Sequence, residues 1–227
     1  MSTAWVVSRT IDPAMSTRRP PPSPRERVIP APAPTLCLDY CNTRYWRGMD
    51  APTETLPDFS AWHRWLHDAQ AIDGATASSL QAWRDSDPAA AQRLFEDALA
   101  VRESLYRLFS AATDGAPPAA EAKALTVWLE GVPSRASPVF VGVQQGWRVP
   151  MVAPSCSELL APVLWSAADL ALARGAAPLR CCANPQCRWL FLDSSKGATR
   201  RWCAMSACGN RAKVQRHAQR QRARRKG

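Results

Sequence analysis

The chain has 227 residues, of which 46% are hydrophobic, and its formal net charge is +10. This length is sufficient for one domain with a full core and some appendages. The sequence contains no run of 18 apolar residues, which excludes a membrane-spanning helix. The chain does not open with a charged segment followed by an apolar block, so we expect no export signal and a cytoplasmic location.

Proline dominates the first segment of the chain. Residues 1–34 contain eight prolines, several of them in clusters. Proline lacks a backbone donor and blocks helix continuation, so we expect residues 1–34 to be a disordered or transiently extended leader. A proline-rich binding peptide is the alternative interpretation.

The following segment, residues 35–175, is predicted to be a mainly α domain with a small β-hairpin, an α+β fold. Its longest helix should begin at Pro88 and end near Thr113, because apolar residues recur there at helical spacing. Similar patterns predict three more helices: from Phe59 to a stop at Gly74, from Pro118 to about Gly131, and from a Ser155 cap to a stop at Gly175.

Two short apolar runs, residues 138–143 and 147–152, flank Gln144-Gln145-Gly146. A glycine between two such runs is typical of a turn, so this segment predicts the β-hairpin. In the helix that follows, Glu158 stands three residues after Ser155 and could complete a capping box.

Three polar residues of this domain are candidates for a ligand pocket. Asp39 and Asn42 lie one helical turn apart near its start, and Arg102 lies beside the apolar face of the longest helix. Capping and core hydrogen bonding are the ordinary roles for such residues. Arg102 could lay its stem on apolar surface or pair with Asp39.

The strongest motif is a set of four cysteines near the end of the chain. Cys182 and Cys187 are separated by four residues, as are Cys203 and Cys208, and fifteen residues lie between the pairs. Two such knuckles place four thiolates at tetrahedral corners, the geometry of one structural zinc ion. Two disulfides or simple packing are the alternatives, and Cys181 is a possible substitute ligand for Cys182.

The positive charge is concentrated at the same end. Residues 180–227 hold 13 of the 29 lysines and arginines but only one acid, Asp193, which leaves the first 179 residues near neutral. A basic segment on a zinc module indicates a polyanion-binding surface, although basic ends can also serve only for solubility. The candidate nucleic-acid contacts, most of them on a predicted C-terminal helix, are Arg200, Arg201, Arg211, Lys213, Arg216, Arg220 and Arg224.

Several segments resemble known families. Residues 208–214, Cys-Gly-Asn-Arg-Ala-Lys-Val, resemble the CGNR zinc finger, and residues 182–187, 189–193 and 200–205 are also similar to it. Residues 36–43 and 101–109 resemble the ABATE domain, with Tyr40 at a phenylalanine position. In that family the finger follows an ABATE domain, described as a stress-induced transcription regulator. The resemblance implies that residues 178–227 are a zinc-knuckle or ribbon-like finger ending in a basic helix.

Together these features predict a DNA-binding transcriptional regulator whose helical body senses a small-molecule signal or forms a homodimer. RNA binding, with Trp189 or Trp202 stacking on bases, is less favoured. A small-molecule sensor or enzyme with a purely structural finger, and an adaptor for an acidic protein, are further alternatives. The sequence shows no phosphate loop or nucleophile elbow, so we expect no enzymatic activity. We also expect Cys203→Ser to unfold the finger and leave the body folded.

Overall fold

The computed structural model describes residues 26–115, 119–141, 144–150, 154–173 and 177–224. Within these residues the fold is the predicted α+β body followed by a finger. The helices are α1 Leu36–Cys41, α2 Phe59–Asp68, α3 Gly74–Ser86, α4 Pro88–Ala112, α5 Ala119–Glu130, α6 Cys156–Leu159, α7 Ala161–Leu172 and α8 Asn210–Arg224. The strands are β1 Glu26–Pro30, β2 Arg44–Tyr45, β3 Thr53–Glu54, β4 Pro138–Val141, β5 Gln144–Pro150, β6 Leu179–Cys181 and β7 Leu190–Leu192.

The long helix α4 forms the centre of the body. Its buried residues include Leu94, Val101, Leu105 and Phe109, which lie on one wide face and pack into a single hydrophobic cluster. Helices α1, α3 and α5 contact this helix, and α1 also packs on α7. None of the described helices combines the length and apolar character needed to cross a bilayer.

Aspartates cap the starts of α3 and α4. Asp73 accepts a hydrogen bond from the backbone N–H of Thr76, and Asp87 does the same from Ala90 ahead of Pro88. Such N-caps satisfy donors that the first helical turn leaves free. The prediction that Gly74 ends a helix is therefore wrong, because Gly74 begins α3. Helix α2 ends at Asp68, shortly before Gln70 adopts a left-handed conformation.

A three-stranded antiparallel sheet, in the order β1-β5-β4, packs beside the helices. The leader prediction is wrong for residues 26–30, which form the edge strand β1, whereas residues 1–25 lie outside the described part of the chain. Ile29 is 2% exposed and packs against Val149 and Trp165, and this contact stabilises the strand. In the sequence Pro30 argues against a strand, but proline is tolerated at the end of an edge strand.

The hairpin is confirmed, but its turn is not where the glycine suggested. Residues 144–146 pair with 139–141 inside the ladder, so the connection falls at residues 142–143, outside the described residues. A Cβ atom on Gly146 would lie 2.4 Å from the Ile29 carbonyl oxygen. Gly146 thus permits the close approach of β1, a role that sequence alone does not separate from a turn.

The predicted helix after Ser155 divides into two. Ser155 caps the N–H of Glu158 as expected, but α6 ends at Leu159 and Pro162 occupies the first turn of α7. The Glu158 carboxylate forms a buried ion pair with Arg27 of β1, at 3.2 Å. This pair attaches the edge strand to the helical layer.

The buried guanidinium of Arg102 joins α4 to the β2–β3 hairpin. Its nitrogens lie 2.6 and 2.7 Å from the two Glu54 carboxylate oxygens and 3.0 Å from Glu103. Arg102 does not pair with Asp39, one of the two alternatives considered for it, since Asp39 is exposed and accepts a hydrogen bond from the Thr35 hydroxyl at 3.4 Å. Partial burial raises the pKa of Glu54, but the hydrogen bonds from Arg102 and the Leu56 N–H, together with the charges of Arg102 and Arg44, hold that pKa below its ordinary value.

We expect Glu54→Gln to lower the free energy of unfolding by about 2 kcal/mol at neutral pH, because the buried Arg102 loses the closer of its two carboxylate partners. The folded-state pKa of Glu54 lies below its unfolded value, so this stabilisation is present above the unfolded pKa. It disappears as pH falls through the folded value. Urea titrations of both proteins from pH 7 to pH 3.5 should show the difference shrinking.

The matched control is Glu96→Gln on the exposed side of α4, where the carboxylate accepts a hydrogen bond from the Gln92 side-chain amide at 2.9 Å. We expect a change within about 0.5 kcal/mol for this variant. Equal destabilisation by the two substitutions would contradict the role assigned to Glu54.

Candidate metal centre and basic surface

The first cysteine pair lies at the end of a β-hairpin. Strands β6 and β7 pair antiparallel, with Cys181 opposite Leu190, and the N–H of Cys182 donates to the Trp189 carbonyl at 2.8 Å. The Asn184 side chain accepts from the N–H of Gln186, which closes a tight turn between the cysteines. Strand β7 follows Cys187 and returns the chain toward the second pair.

The second pair lies on a loop and a π-helical turn. Cys203 precedes the turn Met205–Gly209, which carries Cys208 and leads directly into α8. The N–H of Ala183 donates to the Arg201 carbonyl at 2.8 Å, so the two knuckles are also joined through their backbones.

The four sulfurs form one cluster. The Sγ atoms of Cys182, Cys187, Cys203 and Cys208 all lie within 4.8 Å of one another, and two of their separations are 3.7 and 3.8 Å. A tetrahedron with Zn–S bonds of about 2.3 Å has sulfurs about 3.8 Å apart. The cluster therefore fits one zinc ion. Cys181 instead packs against the body core, so it does not replace Cys182.

Without a metal, burial and close packing oppose ionisation of most of these sulfurs. Burial raises the pKa of Cys203 to about 12 and also raises that of Cys187. Burial acts in the same direction on Cys208, but hydrogen bonds from Asn184 and the neighbouring thiols leave its pKa below the ordinary value. A divalent cation would compensate four thiolates held this close, and four sulfur ligands leave no position for a reactive water.

Asp193 holds the loop between the knuckles. Its carboxylate accepts hydrogen bonds from the Ser195 hydroxyl at 2.6 Å, from the Ser195 N–H and from the Arg200 N–H at 2.8 Å. Hydrogen bonding, chiefly from the Ser195 side chain, lowers the pKa of Asp193. The one acid of the basic end therefore orders the finger and does not neutralise α8.

The finger is continuous with the body. Both atoms of the Asn42 side-chain amide bond to the backbone of Leu190, at 2.9 and 3.1 Å. Leu190 is 1% exposed and belongs to the hydrophobic cluster of the body. The Tyr106 hydroxyl donates to the Arg188 carbonyl at 2.9 Å. The core of the body is therefore completed by a residue of the finger.

The loop after β2 provides a second attachment. Trp46 packs on the cluster that contains the metal-site cysteines, and the N–H of Gly48 donates to the Gln186 carbonyl at 3.1 Å. A Cβ atom on Gly48 would lie 1.8 Å from the Pro185 carbonyl oxygen, so only glycine allows this approach. Sequence reasoning missed both residues. The aromatic pair Tyr45-Trp46 shortly before Gly48 was the sequence pattern that could have pointed to this loop.

Two of the three candidate pocket residues are occupied by protein partners. Asn42 holds Leu190, Arg102 binds Glu54, Glu103 and the Thr43 hydroxyl, and Asp39 lies at the surface. The structure uses Asn42 and Arg102 to connect elements of the fold. This arrangement corresponds to the ordinary role considered for them from sequence.

The predicted cationic residues occupy two kinds of environment. Arg200 is stacked on Phe191 and donates to the backbone carbonyls of Trp202 and Cys203, so it holds the second knuckle. Arg201 lies exposed over Trp202, with its guanidinium 5.1 Å from the ring centroid. Arg211 lies over the Trp46 ring at 4.4 Å.

Helix α8 presents charge to solvent. Lys213 and Arg220 are exposed, and the positions of Arg216 and Arg224 share their helical face by spacing. Val214, an apolar residue of this helix, is 69% exposed. Among the described side chains of α8 only Ala212 is partly buried. The described side chains of α8 therefore make little apolar contact with the rest of the protein.

The fold and site define a helical body joined to a four-cysteine zinc finger that ends in a basic helix. Comparison with family profiles agrees with this description. Residues 179–221 match the CGNR zinc finger, and residues 35–174 match ABATE, described as "Putative stress-induced transcription regulator". The chain belongs to the ABATE family. No curated protein is significantly similar to the chain.

The shared core changes the expected effect of losing the metal. Cys203→Ser should abolish stoichiometric zinc binding and, because Leu190 is part of the body core, should also destabilise the body. Zinc content by atomic absorption and thermal unfolding by circular dichroism would measure both effects. Cys181→Ser is the control, for which we expect one zinc per chain. A Cys203→Ser protein with full zinc content would contradict the ligand assignment.

We expect Gly48→Ala to lower the free energy of unfolding by about 2 kcal/mol, since the added methyl group displaces the loop from the knuckle. Gly74→Ala is the matched control, because a Cβ atom there meets no atom within 4 Å. That variant should be neutral or stabilised by about 0.5 kcal/mol. Denaturant titration compares the two, and equal stability would show that the loop does not hold the finger.

Proposed function

We propose that the chain is a cytoplasmic, DNA-binding transcriptional regulator. In this proposal the zinc finger presents α8 to DNA, and the helical body senses a small-molecule signal or forms a homodimer. The family description supports a regulatory role. The filled coordination sphere of a four-thiolate zinc site supports a structural metal and a protein that is not an enzyme.

The observation that carries the proposal is the exposure of α8. Helices in globular proteins are stabilised mainly by packing an apolar face, and α8 has almost none among its described side chains. Its like charges repel one another in the free protein. A phosphate backbone would remove that repulsion and release counterions, so a polyanion is the partner that stabilises this helix most.

The dimensions of α8 suit a DNA groove. Its 15 residues span about 22 Å, and the major groove of B-DNA is about 12 Å wide. Lys213 and Arg220 lie on one face, and Arg201 extends the positive surface at the second knuckle. Arginine can bind phosphate or guanine through two parallel hydrogen bonds, which offers both affinity and base readout.

The test is a fluorescence anisotropy titration of the full, zinc-loaded chain with duplex DNA from its own genome at several salt concentrations. If six phosphates are neutralised, log K should fall against log salt with a slope of about −5. A regulator should also select particular promoter fragments from a genomic pool. No binding to duplex DNA at low ionic strength would refute the proposal.

We expect Arg220→Gln to weaken duplex binding about threefold to tenfold at 0.1 M salt and to reduce the magnitude of the salt slope by about 1. Arg93→Gln makes the same charge change at an exposed position of α4 and is the control. It should leave affinity and slope unchanged. Equal losses in the two variants would mean that net charge, and not α8, sets the affinity.

A further inference from the structure

Beside the metal site the body and the finger enclose an aromatic cleft of about 360 Å³. This volume lies in the range of small-ligand sites. Tyr45 and Trp46 come from the body, and Trp189 comes from the finger hairpin; all three rings are half-buried. The remaining lining consists of Cys187, Cys203, Ala204, Ala207 and Cys208.

The aromatic walls are held in place by contacts on both sides. The ring centroids of Tyr45 and Trp189 lie 6.3 Å apart. The Arg211 guanidinium lies 4.4 Å from the centroid of the Trp46 ring. Trp46 and Arg188 both have a left-handed backbone, with φ near 54°. This conformation is uncommon and strained for such residues, so the surrounding structure must hold the backbone at Trp46 and at Arg188, directly before Trp189.

A second cleft meets the first at Ala207. It has a volume of about 540 Å³ and is lined by Gln186, Ser206, Ala207, Asn210, Arg211 and Val214. Amide, hydroxyl and guanidinium groups line this second cleft, and no described residue lining either cleft carries a carboxylate. The two clefts therefore differ in chemistry: one is aromatic and the other supplies polar donors and a cation.

Charge determines which part of a ligand each cleft would hold. Four thiolates on one zinc leave the metal site negative overall, so the aromatic cleft disfavours a phosphate. A nucleobase is neutral, has π faces for stacking and carries N–H donors that can point to sulfur. The phosphate attached to it would lie near Arg211 in the second cleft. The surrounding excess of lysine and arginine favours a nucleic acid over an apolar metabolite.

We propose that this composite cleft binds one unpaired base of single-stranded DNA, packed against the rings of Tyr45, Trp46 and Trp189. The inference rests on the proposed function and adds a site to it: α8 holds the DNA backbone, and the cleft receives a base that is extruded or not yet paired. Duplex binding through α8 does not require the cleft, so the two proposals can fail separately.

The test compares a single-stranded oligonucleotide with its duplex at the same salt concentration, using the full zinc-loaded chain. Tyr45→Leu keeps an apolar side chain but removes the ring, so we expect about tenfold weaker single-strand binding and duplex binding within about twofold of the original. Tyr45→Phe keeps the ring and should bind single strands within about twofold of the original. Zinc content and circular dichroism establish that both variants are folded.

A second measurement does not depend on a substitution. Single-stranded DNA containing 5-iododeoxyuridine should crosslink under ultraviolet light to Tyr45, Trp46 or Trp189, as located by mass spectrometry. Crosslinks confined to other residues, or unchanged single-strand affinity in folded Tyr45→Leu, would overturn the cleft assignment. RNA of the same sequence binding tenfold tighter than the DNA would overturn its assignment to DNA. Absence of binding to any nucleic acid would instead refute the proposed function itself.

Discussion

The bond between the Asn42 side chain and the Leu190 backbone is the contact on which the arrangement of the two parts depends. One amide group satisfies both the N–H and the C=O of a buried residue, groups that would otherwise be costly to bury. This contact places the finger hairpin against α1 and α4. Trp46 also packs on the cysteine cluster, so contacts from the body hold the metal site at two places.

The metal and the core therefore support each other. Zinc would order the knuckles, while the body holds the hairpin that carries the first of them through Leu190, Tyr106 and Gly48. A finger of this size has too little apolar surface for an adequate core of its own. Here it shares the core of a larger domain, and its exposed remainder is free to carry charge. This division explains how a helix as basic as α8 can project from an otherwise near-neutral protein.

Local patterns in the sequence predicted the parts of the fold that depend on local chemistry. The Pro88 start of α4, the hairpin and the four cysteines follow from spacing and capping, and all are present. Contacts between distant segments were not predictable in the same way. Gly146 and Gly48 each make room for a carbonyl group far along the chain, and a single sequence does not reveal which segment approaches. Arg102 likewise pairs with Glu54 because the fold places the β2–β3 hairpin beside α4, a position that the sequence does not reveal.

The separation of Asn42 and Leu190 along the chain has a consequence for the order of folding. The two residues are 148 positions apart, and Arg27 and Glu158 of the edge-strand ion pair are 131 apart. During translation the N-terminal helices emerge well before Glu158 and Leu190. Their core therefore stays incomplete until those residues are synthesised. The body should reach its final packing only after the hairpin that carries the first knuckle has left the ribosome. Metal capture and completion of the core would thus occur late and close together in time.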